Sequence, residues 1–324
     1  MNQTFIKPIT LGGVQFESNL IQAPLAGVSC APFRDMIWQY GELAYCATEM
    51  VSAKTLLLAK PPKRYIYKSA TEGPLCFQLS GTNPEELHRA VDIAILHGAD
   101  LIDLNCGCPM PKVRHRGCGS RLLSDSSKLY QLVTTLRKAT DKPLSIKIRV
   151  DGQSGDRFNA DVIKAVNDGG ADFIVVHGRH WTEDYETEVR YDEIAATVQA
   201  SKIPVIGNGN VKNYASLQRL METGCAGAMI GRGSTGKPWL FAELSANDKG
   251  LTFTPPSSIE IGKLFLLHIE KLIALENEPR ALLQGRQFSK YYARAAGLGP
   301  EVYLQFYTVK SLEELRMLID ACFI

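Results

Sequence analysis

Leu20-Ile21-Gln22-Ala23-Pro24-Leu25-Ala26-Gly27 is the stretch that decides between two folds. Its first five residues form a short apolar run with the look of a buried strand. Seven more such runs follow, at 43–49, 74–79, 100–105, 144–149, 172–177, 204–208 and 226–231. They are rich in Val, Ile and Leu with little alternation, as parallel strands covered on both faces are. Helix-like segments lie between several of them, at 84–97, 124–139, 159–168, 191–199 and 214–222. Asn83 before Pro84 and Glu85 has the form of an N-cap, and Gly98, Gly169 and Gly224 close helices just before the next strand. This order suits either an open doubly wound sheet or a closed barrel. A dinucleotide-binding sheet would place its glycine fingerprint after the first strand, where Ala23-Pro24-Leu25-Ala26-Gly27 stands instead. With eight strands counted, the sequence predicts a (β/α)8 TIM barrel.

After Leu244 the pattern changes. Residues 247–258 are polar and Pro-rich, and beyond them only helical periodicity remains, at 259–276, 279–295 and 311–322, with a short helix near 301–307. The expected organisation is a barrel domain over 1–245, a linker over 246–258 and a small helical bundle over 259–324. The 324 residues suffice for a large core. Apolar residues make up 45% and charged residues 22%, and the net charge is only +2. A polyanionic partner must therefore be met by local basic patches. The longest apolar runs are strand-sized, too short for a membrane span, and residues 1–8 lack a basic-then-apolar signal pattern. Eight scattered cysteines do not form a disulfide framework, so a reducing cytoplasm is the expected compartment.

Barrel enzymes carry their chemistry at the C-terminal strand ends. Here those ends bear Pro24, Leu25 and Ala26, then Glu49, Gln78, Asn105 with Cys108, Lys147 with Arg149, and His177 with Arg179. Asn208-Gly209-Asn210 and Gly231-Arg232-Gly233 complete the set. Singly, each has an ordinary explanation as a loop cap, a surface cation or a packed histidine. Gathered on one face they form a polar, mostly cationic mouth over an apolar core, which suits a flat anionic cofactor. The last two motifs fall where phosphate-binding barrels hold a phosphate.

The loop Leu104-Asn105-Cys106-Gly107-Cys108-Pro109-Met110-Pro111-Lys112-Val113 offers a positioned thiol after the fourth strand. Cys106, Cys108 and Cys118 could be three metal ligands, but no Cys-x-x-Cys pair or fourth local ligand accompanies them, so no metal is expected. Cys106 reads as a packed neighbour of Cys108. Cys118, in Gly117-Cys118-Gly119, reads as structural or incidental, and Cys30, Cys46, Cys76, Cys225 and Cys322 lie in or near apolar segments and read as small core residues.

Taken in order, these motifs resemble the bacterial tRNA-dihydrouridine synthases. Ala23-Pro24-Leu25-Ala26-Gly27-Val28 with Pro32-Phe33-Arg34, Thr48-Glu49-Met50, Gln78 and Cys108-Pro109 with Lys112-Val113 carry the likeness. Lys147-Ile148-Arg149, His177-Gly178-Arg179, Asn208-Gly209 and Gly231-Arg232 continue it. It spans about residues 20–245, and the helical tail matches the family's RNA-binding domain more loosely. The resemblance implies an FMN barrel that reduces a uridine of the tRNA D-loop, with NADPH recharging the flavin. Pro24, Leu25 and Ala26 would line the flavin, and Gln78 and Lys147 would hydrogen-bond its ring. His177, Asn208, Gly209, Asn210, Gly231 and Arg232 would hold the phosphate, and Cys108 matches the family's catalytic acid. Asn105, Lys112 and Arg149 would contact substrate, and a monomer is expected. Leu25, Ser29-Cys30, His180 and Asn210 depart from the usual residues, and the stretch 181–190 fits the family pattern poorly.

Reducing the uracil 5,6 double bond needs a hydride at one carbon and a proton at its neighbour. An ordinary thiol, with pKa about 8.5, is mostly protonated at neutral pH and can donate. Lys112, Arg114, Arg116 and Arg121 would favour the thiolate if they faced it, so they are expected to point outward to RNA phosphate. Lys60, Lys63, Arg64 and Lys68 interleave with Tyr65 and Tyr67, a combination able to hold phosphates and stack bases. Arg286, Lys290 and Arg294 recur every four residues and share a helix face. Two rivals remain open: an FMN barrel acting on a free pyrimidine, and a non-catalytic tRNA-binding protein.

Overall fold

The structure is a computed structural model that describes residues 4–152 and 159–324; residues 1–3 of the stretch read for a signal lie outside it. Eight strands form the barrel: β1 (Leu20–Gln22), β2 (Tyr45–Ala47), β3 (Leu75–Ser80), β4 (Leu101–Asn105), β5 (Leu144–Arg149), β6 (Phe173–His177), β7 (Val205–Asn208) and β8 (Gly227–Ile230). Each pairs in parallel with the next, and β8 pairs with β1, so the sheet closes. The outer layer is α1 (Ala31–Trp38), α2 (Pro84–Leu96), α3 (Ser126–Ala139), α4 (Asn159–Asp168), α5 (Tyr191–Ala200), α6 (Tyr214–Met221) and α7 (Leu240–Asp248). The crossover from β2 to β3 has only two single-turn helices, Ala53–Leu56 and Lys63–Ile66.

Local chemistry explains the boundaries. The Asn83 side chain accepts the N–H groups of Glu85 and Glu86 and starts α2, satisfying donors that the first turn leaves free. Gly98 (φ 87°) and Gly224 (φ 82°) end α2 and α6 in the left-handed region. After α4 that conformation falls to Gly170 (φ 89°), while Gly169 still bonds back to Ala165 O at 3.0 Å.

The strands are buried on both faces, yet their two faces differ more than the sequence suggested. Outward positions such as Leu75, Phe77, Leu79, Ile102, Leu104, Ile146 and Ile148 pack under the helices. Inward positions change character along the barrel axis. At the N-terminal end Ile21, Tyr45, Cys76, Leu101, Phe173 and Ile206 form an apolar plug with Leu11 and Phe16 of the N-terminal hairpin. Each large side chain buried there stabilises the fold by about 1.5–3 kcal/mol. Toward the C-terminal end the inward residues become Gln78, Asp103, Asn105, Ser145, Lys147, Arg149, His177 and Asn208, which side-chain alternation places above the plug.

The tail comprises α8 (Ser258–Leu275), α9 (Glu278–Ala295) and α10 (Leu312–Cys322), with short turns at Pro300–Tyr303 and Leu304–Thr308. A reciprocal cap between Ser257 and Glu260 starts α8. Its core, with Phe265 stacked on Tyr292 at 5.0 Å, runs on into Cys30, Met36 and Trp239 of the barrel. The helical region is thereby seated on the segments that leave β1 and β8. Among the described residues, no helix is long and apolar enough to cross a membrane.

Candidate active site

Strand register builds the site. Gln78, Asp103 and Ser145 stand side by side on β3, β4 and β5. Ser145 Oγ donates to Asp103 Oδ1 at 2.6 Å, and Gln78 Nε2 donates to Asp103 Oδ2 at 2.7 Å. Asn105 Nδ2 donates to Gln78 Oε1 at 2.8 Å. Burial pushes the Asp103 carboxyl up to about 6, against those two hydrogen bonds and the Lys147 charge. Lys147 Nζ donates to Asn208 Oδ1 at 2.8 Å, and Asn208 Nδ2 donates to Met229 O at 2.8 Å. Burial, opposed by the Asp103 charge and aided by Arg149, lowers Lys147 to about 7. Part of the Lys147 side chain nonetheless faces the open mouth.

The cysteine loop leaves this layer at Asn105, whose Oδ1 accepts the N–H groups of Gly107 (3.2 Å) and Cys108 (2.9 Å). Cys108 is half-buried and a free thiol, whereas Cys106 is fully buried on the outer side and held well above the usual thiol range by that burial. Ser120 grips the Cys108 carbonyl twice, by its N–H at 3.0 Å and its Oγ at 3.1 Å. This approach needs Gly119, whose φ is 61° and whose added Cβ would lie 2.6 Å from Cys108 O. Lys112, Arg116 and Arg121 are exposed, as expected of outward cations, but Arg114 is not. Its Nη1 donates to Ser120 Oγ at 2.8 Å, and its guanidinium lies 3.3 Å from the Trp181 ring centroid.

Arg149, His177 and Asn208 are register neighbours on β5, β6 and β7. Arg149 is buried and donates to Gly107 O at 2.7 Å and His180 O at 3.0 Å. Burial holds His177 well below the usual imidazole range, and Arg149, Lys147, Arg179 and Arg232 push it the same way. Arg232 is exposed and stacks on Tyr185 at 3.9 Å; Tyr185 and His177 have ring centroids 6.4 Å apart. Gly209, Asn210 (φ 56°) and Gly231 form the adjoining rim. Leu25 lies against Gly231, 3.2 Å from where a Cβ would stand, with Pro24 half-buried and Ala26 exposed beside it. Among the described residues, no ion pair neutralises Lys147, Arg149, Arg179 or Arg232. Three guanidiniums and a partly protonated lysine gathered about one imidazole fit an anionic cofactor.

The sequence reading of a basic-aromatic patch at 60–68 needs correction. Arg64 bonds Glu49 through two donors (2.5 and 3.0 Å), and its Nη1 reaches Glu276 at 3.2 Å and Gln284 at 2.8 Å. Lys68 pairs with Asp100 at 2.7 Å. These cations join elements of the fold and are neutralised where they stand; Lys63, over Tyr67 at 4.9 Å, keeps the expected pattern. The Arg64 contacts and the close approach of Gly236 to Tyr291 lay α9 across the rim between the β2 and β8 exits. Arg286 and Lys290 on α9 are half-buried and Arg294 is exposed. A surface cavity of about 640 Å³ opens at the other end of the barrel, lined by Val14, Phe16, Pro74 and Pro143. Asp100, Thr140, Asp141 and Lys142 also line it, but it lies away from Cys108 and from the cationic corner. Asp103, Ser145, Ser120 and Tyr185 are site residues that sequence reasoning missed; the period-two pattern of Leu144-Ser145-Ile146-Lys147-Ile148-Arg149 hinted at Ser145 alone.

A closed parallel barrel with a cationic corner beside a positioned thiol has the form of an enzyme that takes an anionic cofactor. The dihydrouridine synthase (Dus) family model matches residues 21–301. The chain belongs to this family and is a flavin-dependent oxidoreductase of the Dus type. It is 30% identical over 316 residues to the probable tRNA-dihydrouridine synthase 1 of Synechocystis sp., covering 97% of this chain and 89% of that protein. It is 31% identical over 266 residues to tRNA-dihydrouridine synthase B of Vibrio parahaemolyticus, covering 81% and 82%. Among solved structures, histamine dehydrogenase from Rhizobium sp. 4-9 superposes with a TM-score of 0.59 at 13% identity, over 83% of this chain and 51% of that one. That likeness is one of fold alone.

Proposed function

We propose that this protein reduces a uridine in the D-loop of tRNA to 5,6-dihydrouridine, with FMN as its flavin and NADPH as the reductant. The observation that carries the reading is the half-buried Cys108 thiol beside a cluster of unneutralised cations at one barrel end, in a member of the Dus family. When bound, FMN would supply the hydride. His177, Asn208, Gly209, Asn210, Gly231 and Arg232 would hold its phosphate. Pro24, Leu25 and Ala26 would line the ring, with Gln78 and Lys147 at its polar edge. An anionic ring edge against Lys147 would favour the ammonium over the amine.

Cys108 gives its S–H proton to one carbon of the uracil double bond while the neighbouring carbon takes the hydride. The thiolate left behind recovers its proton from solvent. Arg149, within electrostatic reach of Cys108, stabilises that thiolate as it forms. Asn105 and Arg149 set the position of the base through the loop carbonyls and amides they hold. A uridine must leave its stack to reach this depth, so base flipping is part of the cycle. Lys112 beside the mouth and Arg286, Lys290 and Arg294 on α9 would take RNA phosphates, the tail thus serving as the tRNA-binding unit of a cytoplasmic monomer.

The test maps dihydrouridine in tRNA from cells lacking the gene, complemented with the native or the Cys108→Ala copy, alongside identification of the flavin released from purified protein. Restoration of one D-loop position by the native copy alone is expected. Equal activity on free uracil and on unmodified tRNA would move the assignment to a free pyrimidine. FAD in place of FMN would overturn the cofactor.

A further inference from the structure

Residues 180–190, the stretch that follows β6, are tied to the cysteine loop at two points. Beneath, Arg149 donates to Gly107 O at 2.7 Å and to His180 O at 3.0 Å, bridging the two loops. Above, Trp181 presents its indole to the Arg114 guanidinium, 3.3 Å from the ring centroid. A planar guanidinium at that separation lies flat on the ring. The same guanidinium donates to Ser120 Oγ at 2.8 Å, which donates in turn to Cys108 O at 3.1 Å. Indole, guanidinium, hydroxyl and the Cys108 carbonyl form one continuous chain of contacts.

Trp181 is held by an ordered loop. Asp184 Oδ1 accepts from Glu186 N, Thr187 N and Thr187 Oγ1. Glu183 accepts from His180 N and pairs with Arg190. Arg179 Nε donates to Thr187 O. A rigid loop can pass its position to whatever rests on it, and the cysteine loop rests on it through Arg114.

We propose that Trp181 is a positioning residue for Cys108, fixing Arg114 and, through Ser120, the place of the thiol against the substrate. The proposal rests on Cys108 as the proton donor. Trp181 itself touches neither thiol nor substrate in this role. Trp181→Ala removes the surface on which Arg114 lies, whereas Trp181→Phe keeps an aromatic face for it.

The experiment uses the holoenzyme in two independent measurements. In single turnover with unmodified tRNA, Trp181→Ala is expected to lower the rate constant of dihydrouridine formation about 10-fold or more, because misplacement of a reacting group by about an ångström costs that much. Trp181→Phe is expected to stay within about 3-fold of the native rate, and flavin reduction by NADPH within about 2-fold in both variants. In the RNA-free holoenzyme, alkylation of Cys108 by iodoacetamide, followed by peptide mass spectrometry, is expected to change about 3-fold or more in Trp181→Ala and not in Trp181→Phe. Native values in Trp181→Ala for both measurements would overturn the proposal, as would equal losses in the two variants. If Trp181→Ala proves unstable, Arg114→Gln, which leaves the indole in place, is expected to show the same losses, and native behaviour there overturns the proposal. A native holoenzyme inactive on tRNA would remove the functional reading, and the alkylation comparison would then decide the positioning by itself.

Discussion

Replacing Lys147 by Met isolates the electrostatic cost of the mouth. The ammonium is lowered from 10.5 to about 7, burial being the first cause, and it donates to Asn208 Oδ1. Unfolded, the same lysine keeps its ordinary value. Between pH 7 and 10.5 the unfolded chain therefore binds more protons than the native one, and native stability rises with pH across that window. Below pH 7 the native state carries the full cost, with a ceiling of about 5 kcal/mol for 3.5 pK units. About 3 kcal/mol of this is relieved between pH 7 and 9.5. Water entering the mouth hydrates the exposed part of the side chain, which reduces the measurable change to about 1–2 kcal/mol. The assay is urea unfolding of flavin-free native protein and Lys147→Met at pH 7, 8 and 9.5, taking the difference at each pH so that groups apart from Asp103 cancel; Asp103, raised further once its cation is gone, moves the difference the same way. The native protein should gain about 1–2 kcal/mol on the variant as pH rises. A difference that stays level, or that moves the other way, refutes the placement of a desolvated ammonium at this position.

Cys108→Ala should leave flavin reduction by NADPH intact and lower dihydrouridine formation by about 10²–10⁴-fold, read by mass spectrometry of digested tRNA; an undiminished rate would remove the thiol from the reaction. Gly119→Ala places a Cβ 2.6 Å from Cys108 O at a φ of 61°, so it should cost about 1–3 kcal/mol in urea unfolding. An unchanged midpoint would show that the loop is not held as described. Arg64→Met leaves Glu49 and Glu276 without the cation they share, so it should cost about 2–4 kcal/mol and loosen the tail first, seen as faster proteolysis between α7 and α8. Melting and cleavage both equal to native would falsify the barrel–tail junction.

The eight strands were legible because buried parallel strands announce themselves as apolar runs closed by turn residues. The run at 43–49 shrinks to Tyr45–Ala47 because closure there rests on two paired positions, Cys46 with Leu75 and Ala47 with Cys76. Asp103 was not legible. A lone acid in the run Leu101-Ile102-Asp103-Leu104 carries no local signal, and its partners Gln78 and Ser145 lie 25 and 42 positions away. Only strand register brings the three together. Arg64 was misread for the complementary reason. Lys63-Arg64-Tyr65-Ile66-Tyr67-Lys68 has the composition of an RNA patch, but Glu276 and Gln284, 212 and 220 positions on, claim the guanidinium. The loop at 180–190 resisted reading because its contacts run to Arg114 and Arg232, on two other crossovers.

The cations of the mouth raise a problem of their own, since like charges gathered in a partly dry site repel. The fold keeps them by giving them dipoles in place of counter-charges. Arg149 bonds the carbonyls of Gly107 and His180, and Arg179 bonds that of Thr187. Carbonyl oxygens solvate a guanidinium without cancelling its charge, so the positive potential survives for an anion to meet. Those carbonyls belong to the cysteine loop and the loop after β6, so the bonds that make the cations tolerable also fix the loops that carry Cys108 and Trp181. Asp103, the carboxyl that faces Lys147, is pushed up to about 6 and is still mostly ionised at neutral pH, so it compensates Lys147 and leaves the guanidiniums to carry the positive potential. The mouth is thus ordered and charged in advance. An anionic cofactor binding there would encounter oriented donors with little further ordering to do, which is the condition under which a few charges give tight binding.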